Sequence, residues 1–212
     1  GDDLVRTDAW KVMSDGSNQG RSAFLRAPYL GGMGGHGVAN FSIQELTGYI
    51  REGHDAGWQV MVHANGDAAI DLTLTAYEGA LSGAAPHDQR HRIEHVSVGR
   101  PEHFSRMARQ GVSPSFLMNH VYYWGQVLRD NILGSERAAC LHRVHTAVAA
   151  GLRPSLHSDY NVSPIQPLLA ARTAVLRQTE EDGQVLGPDE CVDADTALRA
   201  ITVDAAWQIH AD

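Results

Sequence analysis

The apolar residues of this chain recur in two rhythms that alternate along its length. Short β-branched or apolar runs at 9–14, 59–63, 92–95, 112–116 and 152–158 read as strands. The longer segments between them carry helical signals. Ile70, Leu74, Tyr77 and Leu81 fall on one face of a helix over 67–81. Ser42 and Glu45 form a capping box for a helix that ends at Gly57. Pro101 and Gly111 bracket another helix, and three more are predicted over 135–150, 167–178 and 195–209. Pro114, inside its strand, predicts a bulge or a sheet edge. Residues 119–133 read as a long aromatic-rich loop. Residues 26–40, with GGMGGHG at 31–37, read as a mobile loop that could serve as a lid.

Five strand–helix units in a row predict a parallel sheet with right-handed crossovers. The candidates are an open doubly wound sheet and part of a (β/α) barrel. In both, ligands gather at the carboxyl ends of the strands. No internal repeat or linker divides the chain, so residues 1–212 are expected to form one domain.

Three of the predicted strands end in residues suited to a metal: VMVHANGD (60–67), RHRIEH (90–95) and LHSD (156–159). His63 is either a neutral imidazole ligand or a core histidine satisfied by a carbonyl. Asp67 beyond it is an anchor for that histidine or a helix cap. His95 ends its strand. In a regular strand Glu94 points the opposite way, which favours a buried ion pair with Arg92. Asp159 is a turn former, or a ligand and general base, with His157 on the same strand face. Lys11 lies between Trp10 and Val12, where an unpaired ammonium is costly to bury. It is either paired with a carboxylate such as Asp15 or carbamylated by CO₂ into an anionic ligand. Together these tips point to metal-assisted hydrolysis.

Composition narrows the partners. The net charge of −8 argues against a nucleic-acid partner. No apolar run approaches the roughly 18–20 residues of a membrane span. The polar opening GDDLVR shows no secretory pattern. Cys140 and Cys191 lack metal-type spacing and read as reduced packing residues, which predicts a cytoplasmic protein. Twelve histidines, several in apolar contexts, keep the metal reading in view.

These residues also resemble a known family. WKVMSDGS (10–17), HANGD (63–67), RHRIEH (90–95), HVYYWG (120–125) and HSD (157–159), with LGPDE (186–190) and ALRAIT (197–202), look like the amidohydrolase-3 group of the amidohydrolase superfamily. The resemblance implies a (β/α)₈ TIM-barrel hydrolase, present here as a partial barrel of about strands 4–8. It implies Lys11 as a carbamylated ligand, His63 and His95 as imidazole ligands, and Asp159 as a ligand that takes the proton from the attacking water. The cofactor is expected to be a divalent metal, with zinc foremost. The reaction is expected to be hydrolysis of amide-type, non-peptide C–N bonds in a small molecule by a metal-activated hydroxide. His120 contacts the substrate carbonyl or makes a loop hydrogen bond. The His-x-His pair that opens the family's barrel does not occur among the ten residues before Lys11. The isolated chain is therefore expected to lack full two-metal catalysis, and to form a homo-oligomer or depend on an N-terminal segment. The alternative is a non-catalytic, metal-binding or structural fragment of such a barrel. A third reading is an open α/β binding protein without metal.

Overall fold

The structure, a computed structural model, describes residues 7–83 and 88–212; the opening residues 1–6 lie outside that range. Among the described residues, five strands pair in chain order: β1 (Ala9–Met13), β2 (Gln59–Ala64), β3 (Arg92–His95), β4 (Ser113–Phe116) and β5 (Ser155–Leu156). Every pairing is parallel. Alternation along the strands divides the side chains. Val60, Val62, Ile93 and Phe116 join the buried core with Leu46, Ile70 and Phe104 of the covering helices. Lys11, Met61, Arg92, Glu94, Ser115 and Ser155 turn the other way and line a cavity of about 820 Å³. A parallel sheet in chain order, with helices on one face and an open cavity on the other, is part of a (β/α)₈ barrel.

The outer layer begins with α1 (Ile43–Asp55), α2 (Asp67–Leu81) and α3 (Pro101–Gln110). The Ser42–Glu45 capping box forms as predicted. Gly111 closes α3 at φ 66°, where a side chain would be strained. Pro114 lies neither in a bulge nor at an edge. The N–H of Ser113 points to β3 and donates to His91, so Pro114's nitrogen faces the other side. Pairing to β5 starts only at Ser115, and no ladder bond is lost.

Three helical segments differ from expectation. Residues 119–133 are not a loop: α4 (Asn119–Val127) runs into a π-helical turn over Leu128–Ile132. The predicted 135–150 helix is broken into α5 (Ser135–Ala139) and α6 (Val144–Ala149), with His142 between them at φ 48°. After α7 (Pro167–Leu176), the last predicted helix is likewise split, into α8 (Ala194–Ala200) and α9 (Val203–Gln208). The glycine-rich stretch is tied down by Leu25 N–H to the His36 carbonyl at 2.7 Å and Tyr29 N–H to Gly35 at 2.9 Å.

The amino end of the barrel is closed by Gln208. Its Nε2 donates to the Pro114 and Arg153 carbonyls, both at 2.9 Å, and its Oε1 accepts from Ser155 Oγ at 2.6 Å. His91 is buried nearby, where its Nδ1 accepts the Val60 N–H at 2.9 Å. Its proton is therefore on Nε2, which faces His54 Nδ1 at 3.1 Å. Burial, and then His54, lower its pKa from 6.5 to about 4. The folded state thus keeps His91 neutral where the unfolded chain binds a proton. Its contribution is complete above pH 6.5 and is lost as pH falls towards 4, a change of about 3 kcal/mol from this one site. Urea midpoints measured from pH 7 to pH 4.5 should show this slope, and His91→Phe should flatten it.

Candidate metal centre

The carboxyl ends of β2, β3 and β5 bring three imidazoles together. The rings of His63 and His95 are 4.5 Å apart, and those of His95 and His157 are 5.1 Å apart. His95 reaches this cluster through its backbone. It adopts φ 73°, which ends the strand alternation at that residue. Glu94 consequently does not lie on the far side from the site. It lines the same cavity and pairs with Arg92 Nε at 2.8 Å.

Lys11 lines this cavity too, on the inner side of β1, and solvent still reaches it. Burial by the surrounding walls lowers its pKa, while the charges of Glu94 and Asp159 oppose the shift. Asp15 is not its partner, because that carboxylate is taken by three backbone N–H groups and His63. Asp159 stands at the rim, at φ 50°, and its charge acts on both Lys11 and His157. His120 lies in the first turn of α4, where Gln19 Nε2 donates to its Nε2 at 2.9 Å. In that orientation of the amide, the ring proton is on Nδ1. Burial and the neighbouring His157 lower its pKa to about 4. Burial, and then the neighbouring His157 and His63, hold His95 well below its usual value, so this imidazole is in the neutral form a metal requires.

Asp67 is neither the helix cap nor an anchor for His63. Gly66 occupies the cap position, and Asp67 Oδ1 accepts the Arg26 N–H at 2.9 Å. Sequence reasoning missed His142, whose Nδ1 meets the His95 carbonyl at 3.2 Å, and Gln19. No local pattern marks either of them.

The donor chemistry fits a divalent cation. His95 Nδ1 and His157 Nε2 are buried without a hydrogen-bond partner. Such atoms are rare unless something absent from the protein atoms satisfies them. Among the described residues, no three His, Cys, Asp or Glu side chains are grouped to hold an ion by themselves. The three imidazoles touch only in pairs, His63 with His95 and His95 with His157, and a further donor has to come from a modified side chain or from outside the described residues.

Comparison with known proteins agrees with this architecture. A sequence model of the amidohydrolase family matches residues 1–212. The Bacillus subtilis (strain 168) protein YtcJ is 30% identical over 212 residues, covering 97% of this chain and 39% of its own length. The N-substituted formamide deformylase of Arthrobacter pascens is 33% identical over 172 residues, covering 81% of this chain and 31% of its own. The crystal structure of an uncharacterized metal-dependent hydrolase from Pyrococcus furiosus superposes with a TM-score of 0.79 at 27% identity, over 95% of this chain and 40% of that one. The chain thus spans two-fifths or less of these relatives. With its strand order, its clustered imidazoles and a family match over its whole length, this chain belongs to the amidohydrolase family.

Proposed function

We propose that this chain forms the metal-binding portion of a barrel that hydrolyses amide-type, non-peptide C–N bonds in small molecules. The carrying observation is the pair of imidazoles, His63 and His95, 4.5 Å apart at the carboxyl ends of adjacent strands, beside the cavity that Lys11 lines. His63, His95 and a carbamylated Lys11 would hold a divalent metal, zinc foremost, with Asp159 as a further carboxylate at the rim. Carbamylation joins the neutral Nζ amine to CO₂ and releases one proton, giving the anionic third donor. The Arthrobacter relative, a deformylase of N-substituted formamides, supports an amide-type bond. The two unpaired cysteines agree with a cytoplasmic setting.

When bound, a metal would supply Lewis-acid chemistry and lower the pKa of a water molecule towards about 7. Asp159 accepts the proton of the attacking water and returns it to the leaving amine. His120 Nδ1–H is a neutral donor for the developing oxyanion, with Gln19 fixing its tautomer. Arg92 pairs with Glu94 in the wall beside Lys11.

The test is zinc occupancy of protein purified without chelator, measured with and without bicarbonate. Bicarbonate should raise occupancy. Lys11→Ala should abolish that response and weaken zinc binding by more than about 100-fold, the upper range for losing an outer partner of a ligand. Folded protein that takes up no zinc under either condition would overturn the reading. Zinc uptake without hydrolysis of N-substituted formamides, even after adding the N-terminal part of a relative's barrel, would instead favour a non-catalytic metal-binding fragment.

A further inference from the structure

Asp15 has no place in the proposed chemistry, yet it is fully buried beside the metal centre. It lies two residues beyond β1, and its carboxylate gathers the loops beyond β1 and β2. Oδ2 accepts the N–H groups of Phe24 and Gly66, both at 2.9 Å, and Oδ1 accepts that of Asn65 at 3.0 Å. Gly66 has to be glycine there, since a Cβ would collide with the Phe24 carbonyl.

His63 closes the same arrangement. Its Nε2 lies 3.2 Å from Asp15 Oδ1 and 3.0 Å from the Gly16 carbonyl. Both neighbours can only accept, so this nitrogen carries the hydrogen. Asn65 Nδ2 is also close, at 3.1 Å, but it donates to the Gly16 carbonyl at 2.9 Å. Its orientation is fixed by Ser97 Oγ, which donates to Asn65 Oδ1 at 2.5 Å. A flipped amide would set its oxygen against the Gly16 carbonyl and lose that bond.

We propose that Asp15 is a positioning residue: with the Gly16 carbonyl it holds the His63 proton on Nε2, leaving Nδ1 as the ring nitrogen free to bind metal. This rests on the metal reading above. A carboxylate in that place also raises the basicity of the ligand and removes the rotational and tautomeric freedom that binding would otherwise have to quench. Asp15 thereby links two jobs, since the groups that fold the two loops also orient the imidazole.

The test uses histidine-labelled full-length chain without metal, where long-range ¹H–¹⁵N spectra report which ring nitrogen of His63 is protonated. The wild-type protein should show the Nε2–H form, and Nδ1–H would overturn the proposal. In Asp15→Asn the single form should give way to a mixture, and zinc affinity by chelator competition should fall about 10–100-fold. An unchanged tautomer with unchanged zinc affinity in folded Asp15→Asn would reduce Asp15 to a loop staple and overturn the proposal. If that variant does not fold, the wild-type spectrum still decides against the proposal should it show Nδ1–H. Should folded wild-type protein bind no zinc, the metal reading fails, while the tautomer measurement still judges Asp15.

Discussion

Arg177→Met is expected to destabilise the fold by about 3–5 kcal/mol, because it strips a charged donor from three buried carbonyls. Arg177 is completely buried. Nε donates to the Leu186 carbonyl at 2.5 Å, Nη2 to Leu141 at 2.7 Å and Nη1 to His142 at 3.3 Å. Burial lowers its pKa to about 10, which still leaves it charged at neutral pH. Methionine fills much of the volume but donates to none of them; the His142 carbonyl keeps the Val144 N–H at 2.8 Å, while the Leu141 and Leu186 carbonyls lose the guanidinium, and these unmet polar groups outweigh the relief of an uncharged core. Arg177→Lys should be intermediate, since one ammonium cannot serve three carbonyls in a fixed fork. Urea unfolding at pH 7 reads both variants. A loss below about 1 kcal/mol for Arg177→Met would mean that water takes over the guanidinium's bonds.

The same residue explains a failure of local reading. Helical pattern runs through 135–150, but Arg177 captures the carbonyls of Leu141 and His142, and the helix breaks there. The residue responsible is more than thirty positions away, so no window of sequence contains the cause. The 119–133 stretch is a different case. Its buried residues Val121, Gly125, Leu128 and Ile132 are spaced by four, three and four, which is helical periodicity. The run of Tyr122, Tyr123 and Trp124 obscured it, although those rings are only partly covered.

Where periodicity and capping chemistry agree, sequence and structure coincide. The helix expected over 67–81 is α2 (Asp67–Leu81), and the Ser42–Glu45 box opens α1. The strand tips were equally legible, because a histidine or aspartate ending an apolar run has few reasons to be there. What strand alternation could not give was the orientation of His95. Its left-handed backbone turns the ring to His63 and leaves Glu94 facing the cavity. Sequence alone offers Asp15 only as a carboxylate partner for Lys11. Its role depends on His63, Asn65 and Gly66, which follow some fifty residues later.

The isolated chain is expected to be a dimer at micromolar concentration, with a mass near twice its 23.0 kDa. Among the described residues, β1 pairs only with β2 and β5 only with β4, so each leaves an edge open. Open edges of parallel sheet are strong sites for further pairing. Large apolar side chains stand exposed on this part of the molecule: Met13 at 52%, Tyr160 at 73%, Ile165 at 69% and Leu168 at 69%. Met13 belongs to β1, and the other three follow β5 into the start of α7. A second copy related by a two-fold axis along the strand direction would set β1 of each chain beside β5 of the other. Strand direction is preserved by that rotation, so both new pairings are parallel and the assembly closes without a free edge. The exposed side chains would be covered in the same step. Replacing both Ile165 and Leu168 by aspartate places two charges in that contact, and should shift the dimer to monomer by at least about 100-fold in dissociation constant, roughly 3 kcal/mol. Light scattering and sedimentation of the two proteins give the comparison. A wild-type chain that stays monomeric and unfolds cooperatively would sink the dimer.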